Sequence, residues 1–305
     1  MSIPDEVIVH EVGPRDGLQN EEETVPTPKK IAFIDRLSDT GLERVEATSF
    51  VAPDQVPQLA DAEDVMNGIS RKENVSYPVL VPNQTGLERA KSVGVEQIAV
   101  FTAASETFCE RNINCSITES LERFEDVIQR ARSYGMGVRG YVSCIAGCPY
   151  EGDVETRHVV NVTVALREMG CDEVSLGDTI GVGTPEQIRS IIRRVKQYVS
   201  VDQLALHCHD TYGQALANIY AAMQEGVRVI DSAAGGLGGC PFAKSAAGNV
   251  ATEDLLYMLN GMGVDTGVSM DRILEAASFI IETLDRSASS RLMNVDSRDA
   301  PGGCE

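Results

Sequence analysis

The strongest constraint on this chain is an alternation that runs from end to end: short apolar, β-rich runs trade places with helix-length amphipathic segments. Strands are predicted over Val7–Glu11, Arg44–Ala47, Ser76–Val81, Gln97–Phe101, Gly137–Ser143, Glu173–Leu176, Leu204–His207 and Val227–Asp231. Helices are predicted between them, over Pro28–Thr40, Gln84–Val93, Thr118–Tyr134, Glu155–Met169, Pro185–Val199 and Gln214–Glu225. Pro28 and Pro185 suit a first helical turn, and Gly41, Gly94, Gly135, Gly170 and Gly226 suit C-terminal caps. About eight such units make an α/β chain that closes as a (β/α)8 TIM barrel. An open doubly wound sheet would want a Gly-rich phosphate turn after its first strand, and Gly13-Pro14-Arg15-Asp16-Gly17 is not one.

Two further helical segments, Asn249–Leu259 and Met270–Leu284, follow the eighth strand; the first closes the barrel and the second is an appended C-terminal helix. Residues 1–286 are therefore expected to form one catalytic barrel. Residues 287–305, polar and aperiodic, are expected to form a mobile tail.

Composition excludes several classes of function. A net charge of −20 leaves no basic footprint for nucleic acid, although a few local cations can still hold an anionic small molecule. No run is long enough to span a membrane, and the acidic start from Met1 to Glu11 does not read as a secretory signal. The eight cysteines have no zinc-type spacing, so most are expected to be small buried residues with reduced thiols. Cys240, and more weakly Cys304, stand apart from that pattern.

Three stretches carry chemistry. In the first, Arg15 and Asp16 arrive side by side where Gly13-Pro14 breaks the opening strand. Burying both charges is costly unless each is neutralised, as a metal on the carboxylate and an anionic group on the guanidinium would do. A solvated Arg-Asp turn is the plain alternative. The second is Leu204-Ala205-Leu206-His207-Cys208-His209, in which alternation turns both imidazoles to one face at a strand end. Only four histidines exist, and this pair reads as metal ligands.

The third stretch, Gly235-Gly236-Leu237-Gly238-Gly239-Cys240-Pro241, has four glycines in five residues and carries a thiol, which suggests a lid over the barrel mouth. Asn249 beyond it could supply a neutral oxygen ligand or cap a helix. Glu46 and Asp178 fall at strand ends on the same face.

Taken together, Glu11–Asn20, Val45–Phe50, Asn112–Ser116, Arg139–Gly152, Ser175–Pro185, His207–Asn218 and Gly235–Asp254 resemble the hydroxymethylglutaryl-CoA lyases. The similarity runs from about Val7 to about Leu284. Isopropylmalate and homocitrate synthases share the Arg-Asp-Gly turn and the His-x-His pair, but they carry further regulatory regions that this chain is too short to hold. The resemblance implies metal-dependent cleavage of 3-hydroxy-3-methylglutaryl-CoA to acetyl-CoA and the ketone body acetoacetate.

It also implies roles for particular residues. Asp16, His207, His209 and Asn249 would bind one divalent cation, Mg²⁺ or Mn²⁺ from the mixed oxygen and imidazole set. Arg15 would bind substrate and stabilise developing charge. Asp178 first, Glu46 second, would take the hydroxyl proton, and Cys240 would join the later proton transfer. The partner is a small-molecule acyl-CoA, a homo-oligomer such as a dimer is expected, and a cytoplasmic enzyme of leucine breakdown is implied. A lyase for a larger 3-substituted hydroxyglutaryl-CoA, a condensing synthase, and a catalytically silent acyl-CoA-binding barrel are the competing readings.

Overall fold

The computed structural model describes residues 3–21, 23–240 and 243–295, with backbone alone for 240 and 243–247. The barrel strands are β1 Ile8–Glu11, β2 Arg44–Val45, β3 Thr48–Ser49, β4 Val79–Leu80, β5 Gln97–Ala103, β6 Gly137–Ser143, β7 Glu173–Asp178, β8 Leu204–Cys208 and β9 Val229–Ser232. All pair in parallel, in the order β2-β1-β9-β8-β7-β6-β5-β4-β3. β2 and β3 are two halves of one run of chain, and that run closes the circle. Glu46 N donates to Glu11 O at 2.8 Å on one side; Val45 N and Ala47 N donate to Ser76 O and Pro78 O at 3.0 and 2.9 Å on the other. The single strand expected over Arg44–Ala47 is thus interrupted at Glu46-Ala47 and resumes at Thr48.

The helices are α1 Thr27–Ser38, α2 Ala62–Gly68, α3 Gln84–Ser92, α4 Glu106–Ile113, α5 Ile117–Ser133, α6 Thr156–Met169, α7 Pro185–Val195, α8 Ala215–Met223, α9 Thr252–Gly261 and α10 Met270–Thr283. One continuous core lies between their inner faces and the strands, with Phe33, Ile98, Phe124, Ile192, Leu206 and Leu256 fully buried. The α2 and α4 helices are additions to the expected set. At 7 and 8 residues they are too short to establish an apolar period. Ser105, whose hydroxyl accepts from Phe108 N at 3.2 Å, is the local signal for α4.

After β9 the glycine-rich stretch forms an antiparallel ribbon, β10 Gly239–Cys240 with β11 Ala243–Ala247, where a plain loop was expected. At its base Gly238 has φ of 100°, and a Cβ there would sit 2.9 Å from Asn249 Nδ2. Only glycine allows that backbone to meet the amide.

Asn249 pairs with His209 in a β-bridge, and α9 starts at Thr252, so Asn249 is not a helix cap. The expected tail is held in its first part. Asp254 accepts from Ser290 Oγ, Arg291 N and Leu292 N, and a short 3₁₀ turn follows at Leu292–Asn294. The remaining tail residues, Cys304 among them, lie outside the described residues.

Six cysteines (Cys109, Cys115, Cys144, Cys148, Cys171 and Cys208) are free and buried, as expected. Among the described residues no helix is long and apolar enough to cross a membrane.

Candidate active site

The break after β1 is a single π-helical turn, Gly13–Gly17. The Val12 carbonyl accepts from Arg15 N, Asp16 N and Gly17 N at 3.1, 2.8 and 3.2 Å, which folds the chain tightly back over the strand end. Pro14 lacks an N–H and fits a position where none is needed. Buried Glu11 ties this turn to the loop after β9: it accepts from Gly13 N, Ala234 N and Thr252 Oγ1 at 2.8, 3.0 and 2.6 Å. Burial nevertheless raises its carboxyl to about 7.

The turn delivers Arg15 and Asp16 to a cavity of about 610 Å³ that also has His207, His209, Tyr141 and Thr179 on its wall. Arg15 is buried and doubly paired. Its Nε donates to Glu46 Oε1, and its Nη1 lies 2.5 Å from Asp16 Oδ1. The other Glu46 oxygen meets His10 Nε2 at 3.3 Å and accepts from Tyr141 OH at 2.5 Å. Burial pushes the Glu46 carboxyl upward, but Arg15 and these hydrogen bonds outweigh it and hold the group at about 2. Glu46 is thus a fixed anion that orients the guanidinium. Both of its oxygens are occupied and it is not on the cavity wall. That differs from its expected role as a base.

Asp178, the first expectation for the base, is also off the wall. Its neighbours Gly177 and Thr179 line the cavity, while its own Oδ2 turns away to accept from Gly183 N at 3.0 Å. Gly183 O in turn accepts from Asn218 Nδ2 at 2.8 Å, so the carboxylate organises the loop that follows β7. Burial raises Asp178 to about 6, moderated by the backbone amides of Gly183 and Val182. Strand alternation explains this placement: with Gly177 inward, Asp178 faces the helices.

The metal-type residues do converge. The ligand atoms of Asp16, His207 and His209 all lie within 4.8 Å of one another. Asn249 joins them, donating from Nδ2 to Asp16 Oδ2 at 2.9 Å and to Leu237 O at 3.1 Å. Burial would raise the Asp16 carboxyl, but Arg15, His207 and His209 hold it well below the usual carboxylate range. Burial and the neighbouring His207 push His209 down to about 4, so its ring is neutral near pH 7, and its buried Nδ1 has no protein partner. An anionic carboxylate beside a neutral imidazole with an unpartnered nitrogen is a donor set that fits a divalent cation.

Behind this set lies a charged layer that sequence reading missed. His207 Nδ1 is 3.3 Å from Asp231 Oδ2; Asp231 also accepts from Ser175 Oγ at 2.9 Å and from Arg139 Nη2 at 2.6 Å. Arg139 Nη1 reaches Tyr141 OH at 3.1 Å, linking this layer to Glu46 and Arg15. The available signal was polar residues at alternate positions of otherwise apolar strands, Arg139 with Tyr141 on β6 and Asp231 on β9. The Cys240 side chain lies outside the described residues.

A protein-family model for HMGL-like proteins matches residues 6–280. The chain belongs to the HMGL-like family. It is 55% identical to the mitochondrial hydroxymethylglutaryl-CoA lyase of Bos taurus over 291 residues, covering 95% of this chain and 90% of the relative. The hydroxymethylglutaryl-CoA lyase structure from Pseudomonas aeruginosa superposes with a TM-score of 0.95 at 52% identity, over 96% of this chain and 98% of that one. An HMG-CoA lyase from Acinetobacter baumannii, solved with coenzyme A and 3-methylmalate, superposes with a TM-score of 0.93 at 35% identity over the full length of both chains. Family membership thus agrees with the barrel and with the resemblance read in the sequence.

Proposed function

We propose that this chain is a carbon–carbon lyase that cleaves 3-hydroxy-3-methylglutaryl-CoA to acetyl-CoA and acetoacetate, with a divalent cation at Asp16, His207, His209 and Asn249. One conjunction carries the reading: a relative of that activity, 55% identical over 95% of the chain, and a cavity in this chain that joins Arg15 to a carboxylate–imidazole trio. The relative solved with coenzyme A supports an acyl-CoA as the substrate class. Mg²⁺ or Mn²⁺ suits the mixed donor set.

The cation, when bound, supplies Lewis-acid withdrawal of charge at the substrate's C3 hydroxyl. Every other part of the chemistry falls to the chain and solvent. The hydroxyl proton passes to solvent, because Asp16, the single carboxylate on the cavity wall among the described residues, has one oxygen on Arg15 Nη1 and the other on Asn249 Nδ2 and serves the cation. The O–H electron pair becomes the ketone of acetoacetate as the C2–C3 bond breaks. The bond pair moves into the thioester, and Arg15 N–H groups, fixed by Glu46, stabilise the resulting enolate oxygen. A proton then adds to C2 to give acetyl-CoA. Cys240 is assigned to that transfer on its place in the Gly-Gly-Cys-Pro sequence.

Product analysis with hydroxymethylglutaryl-CoA tests the reading. Acetoacetate and acetyl-CoA are expected in equal amounts with Mg²⁺, and turnover is expected to vanish on chelation and return on adding the ion back. Full turnover by the chelated protein would remove the metal from the reading. No cleavage under any ion would remove the lyase.

A further inference from the structure

Asp231 belongs to none of the roles assigned so far, yet it meets side chains from three neighbouring strands, β6, β7 and β8. It lies on β9 in register with His207 on β8, is 1% exposed, and is not itself on the cavity wall. Three groups converge on it. Arg139 Nη2 donates to Oδ1 at 2.6 Å; Ser175 Oγ donates to Oδ2 at 2.9 Å; His207 Nδ1 stands 3.3 Å from the same Oδ2. The opposite nitrogen of the ring, His207 Nε2, faces the ligand cluster at 4.0 Å from Asp16 Oδ2.

From this geometry we infer that Asp231, oriented by Arg139, is a positioning residue that places the proton of neutral His207 on Nδ1 and so leaves the Nε2 lone pair turned toward the cation site. A carboxylate only accepts hydrogen bonds, so the imidazole nitrogen facing it must carry hydrogen. Arg139 is the element that makes the arrangement directional, because a guanidinium only donates. The inference rests on the metal reading of the site given above.

The same logic predicts what Asp231→Asn does. Arg139 requires an acceptor, so the asparagine oxygen must take the Oδ1 position; the reverse orientation would set two donors face to face. The amide NH₂ then points at His207 Nδ1, which must accept. The ring proton moves to Nε2, and the nitrogen that should bind the cation becomes a donor. A change of one side-chain group, with shape nearly conserved, inverts the tautomer, as in the analogous substitution of a catalytic-triad aspartate.

Nitrogen-15 spectra of the metal-free protein, at a pH above the imidazolium titration, read the tautomer directly; the four histidines of the chain keep assignment tractable. The wild type is expected to show His207 protonated on Nδ1, and Asp231→Asn on Nε2. Mn²⁺ affinity measured by electron paramagnetic resonance is expected to fall at least ~10-fold in the variant, the lower end for losing a partner of a metal-binding histidine. Thermal melting establishes that the variant is folded. A wild-type ring protonated on Nε2 overturns the inference without any variant, as does a folded Asp231→Asn that binds Mn²⁺ like the wild type. Failure of the wild type to bind Mn²⁺ would instead overturn the metal reading, leaving the tautomer measurement to judge Asp231.

Discussion

Glu46 and Asp178 sit at two strand ends of one barrel, are equally buried, and behave in opposite ways. Glu46 faces the barrel interior among Arg15, His10 and Tyr141, and is held at about 2. Asp178 faces the outer layer with backbone amides on one oxygen, and is raised to about 6. Burial pushes both carboxyls upward, and at Glu46 the buried Arg15 cation, with the His10 and Tyr141 contacts, reverses the sign. Neither one lines the cavity; one anchors a guanidinium and the other anchors a loop.

The largest expected effect comes from breaking the anchor of the guanidinium. Arg15→Lys keeps the charge but loses the planar fork that Glu46 grips. It is expected to lower kcat by at least ~10²-fold with a much smaller change in KM, the scale for losing an oriented donor to a developing oxyanion. A pure KM defect would make Arg15 a ground-state anchor instead.

Removing the charge from Glu46 acts on the same contact from the other side. Glu46→Gln leaves Asp16 as the one charged partner of Arg15, and breaking a buried ion pair in this way costs about 3–5 kcal/mol. Denaturation should show that loss, together with a kcat reduced by about 10-fold or more. An unchanged variant would mean that the Arg15–Glu46 contact is incidental.

The two carboxyls should also separate in the pH dependence of stability. The folded value for Glu46, about 2, lies below its ordinary 4.5, so its contribution is full above 4.5 and is lost as pH falls toward 2. The folded value for Asp178, about 6, lies above its ordinary 3.8. Between 3.8 and 6 the native state therefore holds the extra proton, and stability declines as pH rises through that window. Glu46→Gln is expected to flatten the acid-side rise and Asp178→Asn the later decline, as read by melting temperature against pH. A single shared slope would erase the contrast.

The smallest effect is expected from Asp178→Asn on catalysis. Asparagine keeps an oxygen for Gly183 N, so kcat should stay within about 10-fold of the wild type, less than an acid–base group contributes. A loss as deep as that of Arg15→Lys would return Asp178 to the chemistry.

The sequence by itself determined the barrel, because periodicity and glycine caps are local properties that every βα unit repeats. It also marked Asp16, His207 and His209, which the structure brings together. The His207–His209 spacing is a property of one strand, and the Arg15-Asp16 pair is fixed by one turn. What it left open were relations between strands. The split at Glu46 follows from closure of the barrel, in which β2 pairs with β1 while β3 pairs with β4. The expected helix start at Asn249 gave way because His209 bridges to that residue. The first part of the expected tail is held by Asp254, a residue dozens of positions earlier in the chain. Whether a carboxylate serves as base, anchor or loop clamp depends on its neighbours across the barrel, and Arg139, Asp231 and Tyr141 come from strands far apart in the chain. Only the tertiary structure brings those charges within Coulombic range, and that proximity sets each proton.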